Sequence, residues 1–330
     1  MKIKYVPYQP HCFAFGGFDM QMLNTLDSVI QKGVNATKLD FWSRDNDFDV
    51  LHLWGISQHN FHVINWAKKS NKHIVATVLL PYFDTFRSKL SYWKHYLSSL
   101  HSQTLYYYNL VDKFVVLNEI QFKILVDYFN VPAHKISIIP NIVEENYFEL
   151  PKLNFSEKYK FSDFILCTGN ISKRKNQYNL ALACVNAKLN LLLIGNILNG
   201  EEEYAKKLNH LIVRNSNIMW IKELPKGSDD LVSAYYSSIA FALPSFEETQ
   251  PISLLEATAA QKPILTLNKA YSRQKFYNNA IRAESGDFSS IEKKLFNLIS
   301  SKNINKHIEE CHSYNVGNSY LNVYNSLNFS

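Results

Sequence analysis

Short runs of continuous apolar residues alternate along this chain with longer stretches in which apolar positions recur every three or four residues. KIKYVPY (2–8), VNATKLDF (34–41), FDVLHLWG (48–55), HIVATVLL (73–80) and KFVVLN (113–118) read as strands. Runs that are apolar on both sides fit parallel strands covered on both faces. Between them, MQMLNTLDSVIQKG (20–33), NFHVINWAKKSN (60–71) and EIQFKILVDYFNV (119–131) carry helical spacing, the first stopping at Gly33. KISIIPNIV (135–143) closes this series, where Pro140 stops the strand and Asn141 can fix the exit by a local hydrogen bond. A polar stretch without periodicity, LPKLNFSEKYKFS (150–162), is the expected linker. The grammar then repeats: FILCTGN (164–170), LNLLLIGN (189–196), NIMWIKEL (217–224), IAFAL (239–243) and PILTL (263–267) read as strands. The segment 171–189 reads as a loop and a helix, 229–239, 254–260 and 289–301 as further helices, and 313–327 as a last helix. Alternation of this kind predicts doubly wound α/β structure.

Length and composition agree with two cores: 330 residues, 46% apolar and 19% charged. The net charge of +6 comes from 35 Lys and Arg spread along the chain rather than gathered in a stripe, so nucleic acid is not an expected partner. The same excess suits phosphate ligands or an anionic membrane surface. Cys12, Cys167, Cys184 and Cys311 show neither a CxxC pair nor metal-ligand spacing, which fits a reducing cytosol. The N-terminus lacks an apolar signal core, and no run of about 18 apolar residues spans a bilayer. The expectation is a cytoplasmic protein, soluble or peripheral at the inner membrane face. Residues 81–109 mix aromatic and basic side chains, among them Arg87, Lys89, Trp93, Lys94, His95 and Tyr96. They read either as an interfacial helix or as a helix with a partly buried aromatic side.

Candidate chemistry concentrates in ALPSFEETQPISLLEATAAQKPILTL (242–267), which has the order strand, loop, helix, strand. Glu248 falls in the loop at the carboxyl end of the first strand, where open α/β sheets bind ligands. Glu256 lies about a turn and a half into the helix. Lys173, Arg174 and Lys175 precede another helix, and cations at a helix N-terminus oppose its dipole unless an anion sits among them. Gly16 and Gly17 stand between a strand and a helix, where bare backbone can approach a ligand.

The Glu248/Glu256 spacing, the Lys175 loop, the Ile-Pro-Asn exit at 139–141 and the terminal helix resemble, in order and spacing, the retaining GT-B glycosyltransferases of family 4. That resemblance implies a GT-B fold, two Rossmann-like doubly wound parallel-sheet domains facing across a cleft. The first would span 1–149, with the helix at 313–330 packing back on it, and the second, the donor domain, 150–312. It implies a sugar moved from a UDP- or GDP-linked donor to a glycan or lipid-linked acceptor, as in surface polysaccharide (O-antigen or capsule) synthesis. Glu248 and Lys175 would be catalytic, Glu248 holding sugar hydroxyls and Lys175 the diphosphate, while Glu256 would accept from ribose. Asn170, Arg174, Gly16, Gly17 and the segment Thr249, Gln250, Pro251, Ile252 and Ser253 would complete donor binding. Neither a metal nor another cofactor is expected; the nearest approach to an Asp-x-Asp motif, Asp45 and Asp47 in SRDNDFD, reads as a polar loop.

This chain departs from the family pattern at three places. Asn170 stands where the family has arginine, Thr249-Gln250-Pro251 where it has Gly-Phe-Gly, and Leu79 near the position of a histidine. His11 and His52 are candidates to enter the site instead, or else ordinary partly buried imidazoles. A nucleotide-sugar epimerase of the same fold and a binding protein without turnover are the alternatives.

Overall fold

The computed structural model describes residues 1–12, 16–80, 82, 98–301 and 308–328. The chain divides into two compact units, Met1–Ile142 with Glu310–Ser330, and Val143–Glu309. In the first unit β1 (Lys2–Val6), β2 (Asn35–Lys38), β3 (Val50–Trp54), β4 (His73–Thr77), β5 (Lys113–Val116) and β6 (Ile136–Ile138) form one parallel sheet, ordered β2-β1-β3-β4-β5-β6. Strand β3 is buried along its whole length, as a strand covered on both faces must be. Helices α1 (Gly17–Gln31), α2 (Phe61–Lys69), α3 (Ser99–Asn109) and α4 (Glu119–Phe129) provide that cover. Gly33 takes a positive φ and ends α1. Asn118 caps α4, its side chain accepting from the N–H groups of Ile120 and Gln121. Of the expected helix over 81–109, only Ser99–Asn109 and Tyr82 and Ser98 before it are described; Arg87, Lys89, Trp93, Lys94, His95 and Tyr96 lie outside the described residues.

The terminal helix, Ser313–Asn325, belongs to this first unit and packs on α1. The two helices cross closely at Gly317, where a Cβ would stand 2.3 Å from Ser28 Oγ. The same Ser28 hydroxyl donates to the Ser313 carbonyl at 2.7 Å. Beneath the crossing, His52 is fully buried among Tyr5, Trp54, Tyr320 and Tyr324. Its Nδ1 lies 2.7 Å from the Tyr324 hydroxyl and its Nε2 2.9 Å from Thr77 Oγ1. His52 is therefore a satisfied core imidazole, not a residue entering a binding site. Burial pushes its pKa down to about 3. A depressed base leaves the unfolded chain holding the extra proton between pH 6.5 and about 3, so stability rises with pH in that window. Acid titration of the wild type should show that slope, about 1.4 kcal/mol per pH unit from this one group. The variant His52→Gln should flatten it, as measured by urea midpoints at pH 4, 5 and 6.

The second unit repeats the architecture with β7 (Phe164–Thr168), β8 (Asn190–Ile194), β9 (Ile218–Ile221), β10 (Ala240–Leu243), β11 (Ile264–Leu267) and β12 (Ile281–Ala283). Their order, β12-β11-β10-β7-β8-β9, reverses direction between β7 and β10. The helices are α5 (Phe155–Tyr159), α6 (Gln177–Asn186), α7 (Glu202–Ile212), α8 (Asp229–Ser237), α9 (Ile252–Ala259) and α10 (Phe288–Ser300). Helix α5 lies inside the stretch expected as a linker. Its Phe155 is fully buried, stacked on Tyr159 and edge-on to Phe164, so this polar segment is pinned by one aromatic anchor. Two elements have weak sequence signals. Helix α7 is mostly polar and buries only Ala205 and Leu208, while β12 is three residues long with Arg282 at its centre.

Candidate active site

The reversal between β7 and β10 creates a crevice outside the carboxyl ends of these strands, the place where doubly wound sheets bind ligands. Two loops meet there. One follows β7 and carries Asn170 to Asn176, including a single 3-10 turn at Lys173–Lys175 capped by Ser172. The other follows β10 and carries Pro244 to Pro251. A backbone hydrogen bond from the Phe246 N–H to the Arg174 carbonyl, 2.9 Å, ties them together.

Glu248 sits between these loops with little exposure. Its Oε1 lies 2.6 Å from Lys175 Nζ and 2.8 Å from an Arg174 guanidinium nitrogen, so one carboxylate oxygen receives both cations. Arg174 also donates to the Glu247 carbonyl at 2.5 Å. Burial works to raise the Glu248 pKa, but the charges of Lys175 and Arg174 outweigh it and hold the carboxyl below its ordinary value. Two positive charges against one negative leave a local excess of +1 around this oxygen, which an incoming phosphate could use.

Lysine 175 is positioned by missing side chains. Gly169, at φ +129°, presents bare backbone to it, and a Cβ there would stand 3.3 Å from Lys175 Cε. Gly195, at the end of β8 with φ +155°, comes so near that its Cβ would lie 2.2 Å from the Gly169 carbonyl oxygen. Alanine at 195 must displace Gly169 and the lysine resting on it. Gly195→Ala should therefore cost about 1–3 kcal/mol of stability, readable in a urea melt, and should weaken any ligand held by Lys175.

Glu256 lies on α9, buried, with Oε2 accepting from the Tyr235 hydroxyl at 2.6 Å. That hydroxyl also lies 2.7 Å from Thr168 Oγ1 at the end of β7, so α8, α9 and β7 meet at this acid. Tyr147, fully buried, packs edge-on to Tyr235 and faces the same carboxylate. Burial raises the Glu256 pKa, partly offset by the Tyr235 hydrogen bond; Lys226 also lowers it, while Glu144 raises it. Lys226 and Glu144 are themselves paired at 3.0 Å.

The remaining sequence candidates are placed as follows. Asn170 is exposed, its carbonyl accepting from Gln177 Nε2 at 3.0 Å. Gln250 is buried and its amide donates to Gln274 Oε1 at 2.8 Å, while Gln274 in turn donates to the Thr249 carbonyl at 2.7 Å. The Thr-Gln-Pro turn is thus braced from beneath, and the Gln250 side-chain nitrogen is engaged there. Pro251 caps α9, leaving the N–H groups of Ile252 and Ser253 in the first turn without an i−4 partner. Gly16 and Gly17 belong to the first unit, at the start of α1, where Asp19 accepts from the Gly16 N–H at 2.8 Å. A Cβ at either glycine would meet nothing within 4 Å, so packing among protein atoms does not demand glycine there. His11 is partly exposed, its Nε2 3.6 Å from Asp19 Oδ1. Leu79 is 41% exposed just after β4. Sequence reasoning missed Tyr235, Thr168, Gly195 and Gln274; only the glycine after LNLLLI, at a strand's carboxyl end, offered a signal.

Among the described residues, no group of three His, Cys, Asp or Glu side chains is arranged to hold a metal ion. No described helix is long and apolar enough to cross a membrane.

Two six-stranded parallel sheets, each with helices on its faces, define an α/β protein of the GT-B class. Residues 24–147 match the family described as Glycosyltransferase Family 4, and residues 151–311 match Glycosyl transferases group 1. The chain belongs to the family 4 GT-B glycosyltransferases. Among solved structures, it is similar to Anabaena Alr3699/HepE in complex with UDP and glucose, at TM-score 0.75 and 12% identity, covering 99% of this chain and 100% of that one. It is also similar to WaaG, a glycosyltransferase involved in lipopolysaccharide biosynthesis, at TM-score 0.61 and 14% identity, covering 99% and 96%. A curated relative is the UDP-N-acetylglucosamine–peptide N-acetylglucosaminyltransferase GtfA subunit of Streptococcus agalactiae, 24% identical over 222 residues. That match takes in 64% of this chain and 43% of the relative, so the chain spans less than half of that protein's length.

Proposed function

We propose that this enzyme transfers a sugar from a UDP-linked donor to a lipid-linked or glycan acceptor, with retention at the anomeric carbon, in assembly of a surface polysaccharide. The observation that carries the reading is the Lys175–Glu248–Arg174 cluster at the switch point of the second sheet, with buried Glu256 eight residues beyond Glu248. Negative charge grows on the departing diphosphate as the glycosidic bond breaks, and preorganised cations are what such a transition state needs. Lys175 and Arg174 supply them, and the N–H groups of Ile252 and Ser253 add the positive end of α9. Glu248, kept ionised by the two cations, accepts from sugar hydroxyls, and Glu256 accepts from the ribose pair. Arg174 takes over the place left by Asn170. UDP as the leaving nucleotide is supported by its presence in the HepE complexes. None of these steps calls for a protein nucleophile or a metal.

A thermal-shift screen of UDP, GDP and ADP tests the donor, since a ligand that binds only the folded state raises the melting temperature by mass action. UDP should give the largest shift. Turnover with a panel of UDP-sugars then tests transfer, and product stereochemistry tests retention. Equal, negligible shifts for all three nucleotides would overturn the donor assignment.

A further inference from the structure

The first unit has a binding feature of its own. Its strand order reverses between β1 and β3, and a pocket of about 190 Å³ opens at the carboxyl ends of β1, β3 and β4. Tyr8, Phe18, Gly55, Ile56, Leu79 and Tyr108 line it. Gly55 is left-handed, at φ +85°, and a Cβ on it would lie 2.5 Å from Tyr8 Cδ2, so the tyrosine ring lies directly on bare backbone. Phe18, from the first turn of α1, meets that ring edge-on at 6.5 Å. Among the described residues no charged side chain lines the pocket, and the hydroxyls of Tyr8 and Tyr108 are the only polar side-chain groups there. A site for a pyranose ring needs several convergent hydrogen-bonding groups, whereas this lining matches hydrocarbon. Leu79 presents 41% of its surface to solvent at the rim, an apolar side chain waiting for an apolar neighbour. At the carboxyl end of β2, on the same edge of the sheet, the following loop exposes Phe41 by 64% and Trp42 by 96%. Exposed aromatic side chains on the same sheet edge as an apolar pocket suit a ligand presented at a lipid–water boundary.

We propose that this pocket receives the hydrocarbon part of the acceptor, making an amphiphile with a saccharide or hydroxyl head the acceptor class. The inference rests on the glycosyltransferase reading and specifies its acceptor. Replacing the family's histidine by Leu79 is then a change of chemistry at the rim, from a polar contact with a sugar to an apolar contact with a chain.

Calorimetric titration of the full chain with methyl, butyl, hexyl and octyl β-D-glucopyranosides, below micelle-forming concentrations and with UDP present, tests it. Affinity should rise about fourfold per methylene until the pocket is full. Leu79→Ser should flatten that dependence, and Leu79→Trp, which fills the opening, should abolish octyl glucoside binding. Both variants should keep the UDP-induced thermal shift, which reports on the other unit and shows that the protein is folded. Affinity independent of chain length, or octyl glucoside binding unaffected by both variants, would overturn the proposal. A normal UDP shift with no chain-length dependence counts against the pocket alone. Chain-length dependence with no response to any nucleotide sinks the donor reading and leaves the pocket standing.

Discussion

Lys175→Ala should lower kcat/KM by roughly 10²–10³-fold, with most of the loss in kcat. Lys175 is the more buried of the two cations on Glu248, 12% exposed against 45% for Arg174, and a charge acts more strongly where water is thinner. Its contact with a diphosphate strengthens as negative charge develops there, so the transition state loses more than the ground state does. UDP affinity, read by calorimetry, should fall by a smaller factor. Glu248 should respond too: with its nearer cation gone, its pKa climbs toward the ordinary carboxylate range and the low-pH limb of the rate profile moves up. A kcat/KM within threefold of wild type would remove Lys175 from the machinery. Loss confined to KM would make it a binding contact only.

The second prediction sets stability against function. Glu256 is buried, with one short hydrogen bond from Tyr235, and burial raises its pKa. An acid whose pKa is raised on folding makes the folded state the better proton holder, so stability falls as pH rises from the unfolded value through the folded one. Glu256→Gln keeps the shape and an acceptor oxygen for Tyr235 while removing the charge. The variant without ligand should therefore melt higher than wild type at pH 8, with the difference closing toward pH 4. Its UDP affinity should fall by about 1–3 kcal/mol, roughly five- to 150-fold. A lower melting temperature with unchanged UDP affinity would show that Glu256 only braces α8 and β7.

Much of this architecture was legible because buried parallel strands announce themselves as apolar runs. FILCT and LNLLLI became β7 and β8 within a residue or two, and the segment around Glu248 and Glu256 kept its predicted order. Helix α7 and strand β12 were missed because their stability comes from contacts with neighbours: α7 buries only two residues, and Arg282 is held by carbonyls of Ser272, Tyr277 and Ala280. The cluster of cations was visible as Lys-Arg-Lys, but a string of letters cannot tell which of them turn inward. The structure sends Arg174 and Lys175 to one oxygen and leaves Lys173 exposed. Tyr235 could not be linked to Glu256 from sequence, since their meeting depends on how two helices stand on the sheet. His52, by contrast, was readable either way, and Tyr320 and Tyr324 among its aromatic neighbours come from a helix more than 250 residues later.

That last contact bears on synthesis. Residues 1–142 leave the ribosome with the α1 face and the His52 surroundings still uncovered, because Tyr320 and Tyr324 arrive only with the terminal helix. The entire second unit is translated in between, at about 5–20 residues per second, so the gap stays open for roughly ten seconds or more. Throughout that interval the nascent chain displays an apolar strip suited to chaperone capture or to mispairing with a neighbouring chain. A ribosome stalled before the terminal helix would deliver a chain whose first unit cannot close.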